Sequence, residues 1–218
     1  MFAGASAQAQ VVITWGAATA ITTDTNVDTN GTLLYAYDAY SSGASDMVNG
    51  VTFVGKNDSA AGFSSSFVGD NSIGGAPTNG GYSGSANFTT LLTASWYANA
   101  GAATGTLTLS GLTAGQIYEI QLFDSDGRRA AGTYDSTYAA TNSVTLSAGS
   151  GQYVIGDFTA TASTEVVNTS ALAGSDMQVS AYELRDEGVA AAPEPSTYAL
   201  TGLGALALLV ISRRRRTA

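Results

Sequence analysis

The sequence of 218 residues contains no cysteine and no histidine. Without cysteine the chain cannot form disulfides, thiolate metal sites or a cysteine nucleophile. Without histidine it cannot form a Ser-His-Asp triad, a histidine general base or an imidazole metal ligand. Any catalysis would have to depend on carboxylates, tyrosines, Lys56 or the few arginines. We therefore expect a protein that is not an enzyme and that carries no cofactor.

Charge is also scarce, since charged residues make up only 11% of the chain, with 17 acidic and 8 basic residues. Removing Glu194 and the four arginines Arg213 to Arg216 leaves 16 acidic and 4 basic residues in the rest of the chain. A body this acidic is repelled by phosphate backbones, which excludes nucleic acid as a partner. The polar surface must be formed mostly by Ser, Thr, Asn, Gly and Ala, a composition typical of bacterial surface proteins.

The N-terminus has small residues where a secretory signal peptide is cleaved. Residues 5–9 read ASAQA and give overlapping A-x-A patterns, with cleavage expected after Ala7 or Ala9. A basic region and an apolar stretch of roughly 7 to 15 residues are missing before them. We expect residues 1–9 to be the remnant of a signal peptide that starts upstream. The alternative is a disordered N-terminus on a cytoplasmic protein.

The C-terminus holds the longest uncharged apolar run. Thr197 to Ser212 would form a helix of about 24 Å, short of a bilayer core of about 30 Å. Tyr198 at one interface and snorkelling arginines at the other can close this gap. The sequence predicts a transmembrane helix at 196–212 and, by the positive-inside rule, a cytoplasmic basic tail at 213–218. The alternative is a helix buried in the globular core.

A proline-flanked glutamate precedes this apolar run. Pro193, Glu194 and Pro195, the apolar helix and the cluster Arg213, Arg214, Arg215, Arg216 together resemble the PEP-CTERM sorting signal of bacterial exosortase substrates. Pro195 disfavours a helical conformation at Glu194, which leaves residues 189–195 as an extended linker. Glu194 is the only charge of that extended linker and would be the group that the enzyme recognises.

The resemblance implies exosortase as a partner and a precursor held in the inner membrane by its C-terminal helix. It also implies a mature protein on the cell surface or in the extracellular matrix of a biofilm, where exopolysaccharide is a further partner.

The body, residues 10–188, alternates apolar and polar positions almost throughout, the pattern of β-strands. The stretch Ser66 to Ser85 is rich in glycine and is predicted to be a surface loop, and Ala86 to Trp96 is predicted to be a short helix. The predicted strands are Val11–Trp15, Thr32–Tyr37, Val51–Val54, Thr106–Ser110, Gln116–Phe123, Ser143–Ser147, Gln152–Phe158, Glu165–Asn168 and Met177–Leu184.

Many short strands without interleaved helices predict an all-β, antiparallel, jelly-roll-like β-sandwich in one domain. Leu112, Gly115 and Tyr118 resemble the L-x-x-G-x-x-Y corner of fibronectin-type β-sandwiches. That resemblance implies that the Tyr118 hydroxyl is tied to the backbone where the chain crosses between sheets.

The loop after the clearest strand gathers charged residues and is the candidate ligand site. Three interpretations stay open: a calcium loop beginning D-x-D, an arginine–carboxylate network that fixes the hairpin, and a sugar-binding patch. The arginines oppose the first, because they stand where a calcium loop needs an acid and a glycine. The candidate residues are Asp124, Asp126, Arg128, Arg129, Tyr134 and Asp135.

Three functions follow from these features. The first is a non-catalytic structural or adhesive protein of the cell surface or matrix, and the second is a carbohydrate-binding module that uses aromatic side chains, although aromatics on strands are more often part of the core. The third is a carboxylate-based glycoside hydrolase or lyase. The acids available for it are Asp38, Glu119, Asp157 and Glu183, and the sequence does not say which of them meet.

Overall fold

A computed structural model describes residues 11–39, 44–64, 66–70, 74–78, 80–98, 104–130, 135–139, 142–171 and 176–189. All of them except Val189 belong to one unit, Met1–Gly188, and the description below concerns that unit. Across these ranges the structure is all-β, with three sheets and one short α-helix, which confirms the predicted class.

The strands are short and most follow a period of two. In chain order they are β1 (Thr14–Trp15), β2 (Thr19–Ala20), β3 (Thr32–Asp38), β4 (Ser45–Val48), β5 (Val51–Gly55), β6 (Val68–Asp70), β7 (Ser95–Ala98), β8 (Thr104–Ser110), β9 (Gln116–Asp124), β10 (Asp135–Ala139), β11 (Ser143–Ser147), β12 (Gln152–Thr159), β13 (Thr164–Ala171), β14 (Met177–Val179) and β15 (Ala181–Val189). The helix α1 is Ala86–Leu91, and two 3-10 turns cover Asp24–Asn26 and Ala148–Ser150.

The large sheet has the strand order β1-β12-β9-β15-β3-β5-β4, with β2 paired to β12. The second sheet has the order β11-β10-β13-β8, and the third has the order β14-β7-β6. Strands β9 and β12 pair antiparallel from Gln152↔Asp124 to Thr159↔Ile117, whereas β3 and β5 pair in parallel. The jelly-roll ordering of these strands stays a prediction.

The main hydrophobic core is shared by all three sheets. On β9, Tyr118, Ile120 and Leu122 are buried and point to the same face because side chains alternate along a strand. They pack in one cluster with Leu107 and Val167 of the second sheet. Complete burial of an aliphatic side chain of this size stabilises the fold by about 1.5 to 3 kcal/mol, so this shared core is the main force joining the layers.

A second core covers the opposite face of the large sheet and explains helix α1. Ser85 caps the helix, because its hydroxyl accepts a hydrogen bond from the Phe88 backbone N–H at 3.2 Å. Phe88 and Leu91 are buried on the helix side, and the Phe88 ring lies edge-on to Phe123 of β9 at 5.9 Å. The helix therefore serves as a lid that buries the second apolar face of the sheet.

The predicted helix from Ala86 to Trp96 is wrong in its second half. It ends at Leu91, after which the Thr93 hydroxyl donates to the Thr90 carbonyl. Trp96 lies instead in β7, which pairs with both β6 and β14. The apolar spacing alone could not show that hydrogen bonds to neighbouring strands outweigh one more helical turn.

Further predictions about the strands also need correction. The glycine-rich stretch Ser66–Ser85 contains strand β6, which pairs antiparallel with β7 through backbone hydrogen bonds. The single strand predicted at Met177–Leu184 is two strands, separated at Ser180, whose backbone N–H donates to the Phe123 carbonyl at 2.8 Å. Strand β10 was not predicted, and only Thr14–Trp15 of the predicted first strand is a strand.

The tyrosine corner is present. Gly115 has φ of +88°, Leu112 is buried, and the Tyr118 hydroxyl accepts a hydrogen bond from the Thr113 N–H at 2.8 Å. This turn connects β8 of the second sheet with β9 of the large sheet. The predicted local motif therefore fixes the point where the chain crosses between layers.

Within the part of the chain that the structure covers, no helix has the length and apolarity needed to span a bilayer. The helix predicted at 196–212 lies outside that part, as do the remnant 1–9 and the basic tail 213–218.

Candidate functional site

A cleft of about 410 Å³ opens beside strands β3, β8 and β15, and we call it the tyrosine cleft. Its size is within the range of ordinary small-molecule sites. It is lined by the aromatic residues Tyr35, Tyr37, Phe63 and Tyr182, the hydroxyl residues Ser59, Thr108 and Ser110, and the small residues Ala60, Ala61 and Gly62.

The alternation of strand β3 creates the aromatic wall of this cleft. Tyr35 and Tyr37 are two residues apart and so point to the same face, where their rings stack at 4.9 Å and 9°. Tyr182 is the direct partner of Tyr37 across the β3–β15 pair, and it lies edge-on to both rings, at 6.0 Å from Tyr35 and 5.8 Å from Tyr37. These offset-stacked and edge-on arrangements are the favoured ones for aromatic rings, so they hold the wall in a defined shape.

Hydrogen bonds fix two of the three tyrosines and leave one available. The Tyr182 hydroxyl donates to the Ala61 carbonyl at 2.6 Å and ties down the loop that forms the opposite wall. The Tyr35 hydroxyl accepts from the Ser110 N–H at 3.2 Å, and burial raises the pKa of Tyr35 to about 12. Tyr37 is partly buried, and its hydroxyl has no hydrogen-bond partner among the described residues. The cleft is therefore preformed, with one phenol free to meet a ligand.

The predicted ligand loop is mostly an internal ion-pair network. Arg128 binds Asp126 in a bidentate manner, with Nε donating to Oδ1 and Nη2 donating to Oδ2, both at 2.7 Å. Arg129 adds a contact of 3.5 Å from Nε to Oδ2. Burial alone would raise the pKa of Asp126, but the hydrogen bonds and charge of Arg128 hold it below its ordinary value. Both arginines are thus directed to a carboxylate of their own turn.

The other members of the predicted loop lie apart from it. Asp124 is the last residue of β9 and is fully buried, and neither of its carboxylate oxygens has a hydrogen-bond partner. Burial raises the pKa of Asp124 well above its ordinary value, so the carboxyl is kept neutral. Asp135 begins β10 instead of lying in a loop, and Tyr134 falls outside the described residues. Within the described ranges no three acidic side chains are arranged to hold a metal ion.

A third group of polar residues lies on or against the face of the large sheet that also carries the second core, and we call it the acidic face: Asp28, Glu119, Asp157 and Glu183. Glu119 and Asp157 are direct partners in the β9–β12 pair, so their side chains lie on one face. Asp28 comes from the loop after the first 3-10 turn, and Gln121 holds that loop by accepting from the Asp28 N–H at 2.9 Å. The structure thus brings together three of the four acids considered from the sequence.

The acids of this face titrate at different pH values. Burial raises the pKa of Glu119 to about 8, and the hydrogen-bonded carboxyl of Asp28 adds to the rise. Burial also raises the pKa of Glu183 to about 7, although the Arg185 guanidinium, 3.0 Å away, opposes the rise. Burial would raise the pKa of Asp28 too, but hydrogen bonds from the Asn30 backbone and from Glu119 hold it below its ordinary value. Around neutral pH the face therefore holds an ionised carboxylate beside a protonated one.

Comparison with known proteins assigns the C-terminal segment. Residues 191–216 match the PEP-CTERM protein-sorting motif. This span contains Pro193, Glu194, Pro195 and the four arginines Arg213 to Arg216, all of which lie outside the described residues. Neither the curated proteins nor the solved structures that were compared with the chain give a match. The motif marks an exported protein that exosortase processes at the cell envelope.

Proposed function

We propose that the body of this exported protein is a non-catalytic, adhesive component of the cell surface or extracellular matrix, and that it binds exopolysaccharide in the tyrosine cleft. One observation carries the proposal: Tyr35 and Tyr37 form a stacked pair in a preformed cleft of about 410 Å³. The predicted ligand loop supports it less well, because its arginines are engaged with Asp126.

The chemistry of the cleft suits a sugar. The C–H face of a pyranose packs against aromatic rings, and its hydroxyl groups need donors and acceptors around the rim. Tyr37 offers a free phenol, and Ser59 and Thr108 offer hydroxyls on the facing walls. The bond from Tyr182 to Ala61 keeps those walls in place before binding, which lowers the entropy lost on association.

The proposal includes a route to the matrix. A helix at 196–212 would hold the precursor in the inner membrane with Arg213 to Arg216 on the cytoplasmic side, until exosortase processes the segment after the body has crossed the membrane. The body would then act as a jelly-roll-like β-sandwich in a biofilm. Its few charges and the core shared by its three sheets are consistent with a stable extracellular domain.

The test is binding of the full chain to exopolysaccharide isolated from the producing organism, measured by calorimetry and by co-sedimentation. Tyr37→Ala should weaken binding by about tenfold or more, since stacking and one hydrogen bond are lost together. Tyr153→Ala is the matched control, because Tyr153 packs against the second core on the other face of the large sheet. Absence of binding by the unchanged chain, or full binding by Tyr37→Ala, would contradict the proposal.

A second candidate function, a carboxylate-based glycoside hydrolase or lyase, is favoured by the acidic face. A carboxyl that stays protonated near neutral pH beside an ionised one can act as general acid, and Glu119 and Asp28 meet that requirement. The same incubations with exopolysaccharide decide between the two functions. Release of new reducing ends or unsaturated sugars that stops in Glu119→Gln would favour the enzyme over the binding protein.

A further inference from the structure

Lys56 is the one lysine of the chain, and its backbone is fixed beside the tyrosine cleft. Its N–H donates to the Asp38 carbonyl at 3.0 Å, and its own carbonyl accepts from the Trp96 indole Nε1 at 3.1 Å. The side-chain Nζ then lies 5.5 Å from the centre of the Tyr37 ring. This contact is within the range of a cation–π interaction, so the ammonium stays close to the free phenol of the cleft.

Lys56 differs from the other basic residues of the body because they form ion pairs. Arg128 and Arg129 pair with Asp126, and Arg185 pairs with Glu183 at 3.0 Å. Lys56 is the remaining basic residue of the described ranges, and its ammonium forms no ion pair there. Acidic residues far outnumber basic ones in the body, so the electrostatic potential over most of its surface is negative. An unpaired cation beside the cleft makes the potential there locally more positive.

We propose that the exopolysaccharide bound in the tyrosine cleft is anionic and that Lys56 binds the carboxylate of a uronic acid unit. This inference rests on the proposed function, because it names the class of sugar that the same cleft takes. The hydroxyl of Tyr37, the residue whose ring the ammonium faces, is the second donor available to that carboxylate.

Electrostatics gives this arrangement a role in specificity. The body, with 16 acidic and 4 basic residues, repels an anionic polymer over most of its surface, and among the described residues Lys56, beside the cleft, is the cation without an ion pair that can meet a carboxylate. The attraction should weaken as salt rises, because the ammonium is only partly buried and the Debye length is about 8 Å at physiological ionic strength.

The experiment compares two forms of one polymer with the full chain at low salt: the exopolysaccharide as isolated, and the same material after reduction of its carboxylates to primary alcohols. The unchanged chain should bind the acidic form about tenfold more tightly than the reduced form, as expected for a charge-assisted hydrogen bond. Lys56→Met should bind both forms with the affinity that the unchanged chain has for the reduced form. Lys56→Arg should keep most of the preference.

The outcomes separate this inference from the proposed function. Equal binding of the two forms by the unchanged chain, with Tyr37→Ala still weakened, leaves the proposed function in place and overturns the role of Lys56. A preference for the acidic form that persists in Lys56→Met overturns it as well. Failure of the chain to bind either form overturns the proposed function and this inference together.

Discussion

At the scale of single residues, the fold keeps several carboxyl groups in places where water cannot stabilise their charge. Asp124 is fully buried with no partner, and Glu119 has one buried oxygen, Oε1, without a hydrogen bond. Burial therefore prevails over ionisation at these positions, whereas Asp126 is ionised because Arg128 compensates it directly. The stability of the body must therefore depend on pH through the buried carboxyl groups of Asp124 and Glu119.

The sign of that dependence follows from the pKa values. Glu119 titrates at about 8 in the folded chain and near 4.5 when unfolded, so the folded state holds the proton more tightly between these values. The free energy of unfolding should fall as pH rises through that window, and Glu183 and Asp124 act in the same direction. We expect a higher melting temperature at pH 5 than at pH 8, and a smaller difference in Glu119→Gln.

The control for this measurement is Asp58→Asn, which changes a partly exposed aspartate that is not among the groups raising the pKa of Glu119. Equal melting temperatures of the unchanged chain at pH 5 and pH 8 would contradict the argument. So would a Glu119→Gln variant that keeps the whole difference.

At the scale of elements, the turn between β8 and β9 carries the chain from the second sheet to the large sheet, and the Tyr118 hydroxyl adds a side-chain hydrogen bond to its backbone ones. Tyr118→Phe removes the hydroxyl that accepts from the Thr113 N–H and leaves the ring in the core. We expect a loss of about 1 kcal/mol in the free energy of unfolding, measured by urea denaturation at equilibrium. Tyr153→Phe removes a hydroxyl that makes no hydrogen bond within the described residues, so it should be close to neutral. A Tyr118→Phe variant as stable as the unchanged chain would show that the corner does not stabilise the crossing.

The elements that the sequence predicts well are those with a strong local signal. Strand β9 alternates apolar and polar residues from Tyr118 to Leu122, and the L-x-x-G-x-x-Y corner depends on residues within one turn, so both could be found without the structure. Strand β6 in its glycine-rich stretch and the separation of β14 from β15 at Ser180 depend on partners distant in sequence. No local pattern could reveal them.

The same distinction applies to the candidate sites. The pair Tyr35 and Tyr37 on a predicted strand and the single lysine were visible signals in the sequence, but Tyr182, which completes the aromatic wall, lies more than a hundred residues away. The charged loop stands out in the sequence by its composition, and in the structure its two arginines form ion pairs with Asp126. The charged loop could thus be located from the sequence, whereas the cleft depends on neighbouring strands that the sequence does not identify.

At the scale of the whole molecule, the C-terminal segment and the body carry different information. Residues 191–216 match a protein-sorting motif, which indicates how the protein is sorted but not what the body binds. The body offers a preformed cleft and an acidic face, and its excess of acidic residues repels polyanions over most of its surface. Sorting and binding should therefore be separable by single substitutions.

Glu194→Ala tests the sorting step in the native host. The variant removes the single charge between Pro193 and Pro195 and leaves the body unchanged, so unprocessed precursor should accumulate in the membrane fraction while surface protein falls several-fold. Immunoblots of membrane and released fractions measure both, and Glu187→Ala, an exposed acid outside the matched segment, is the control. Material extracted from the accumulated precursor should still bind exopolysaccharide, because the tyrosine cleft is intact. If Glu194→Ala still yields mature protein of the usual size and amount, exosortase does not need this glutamate for recognition, and the prediction is contradicted.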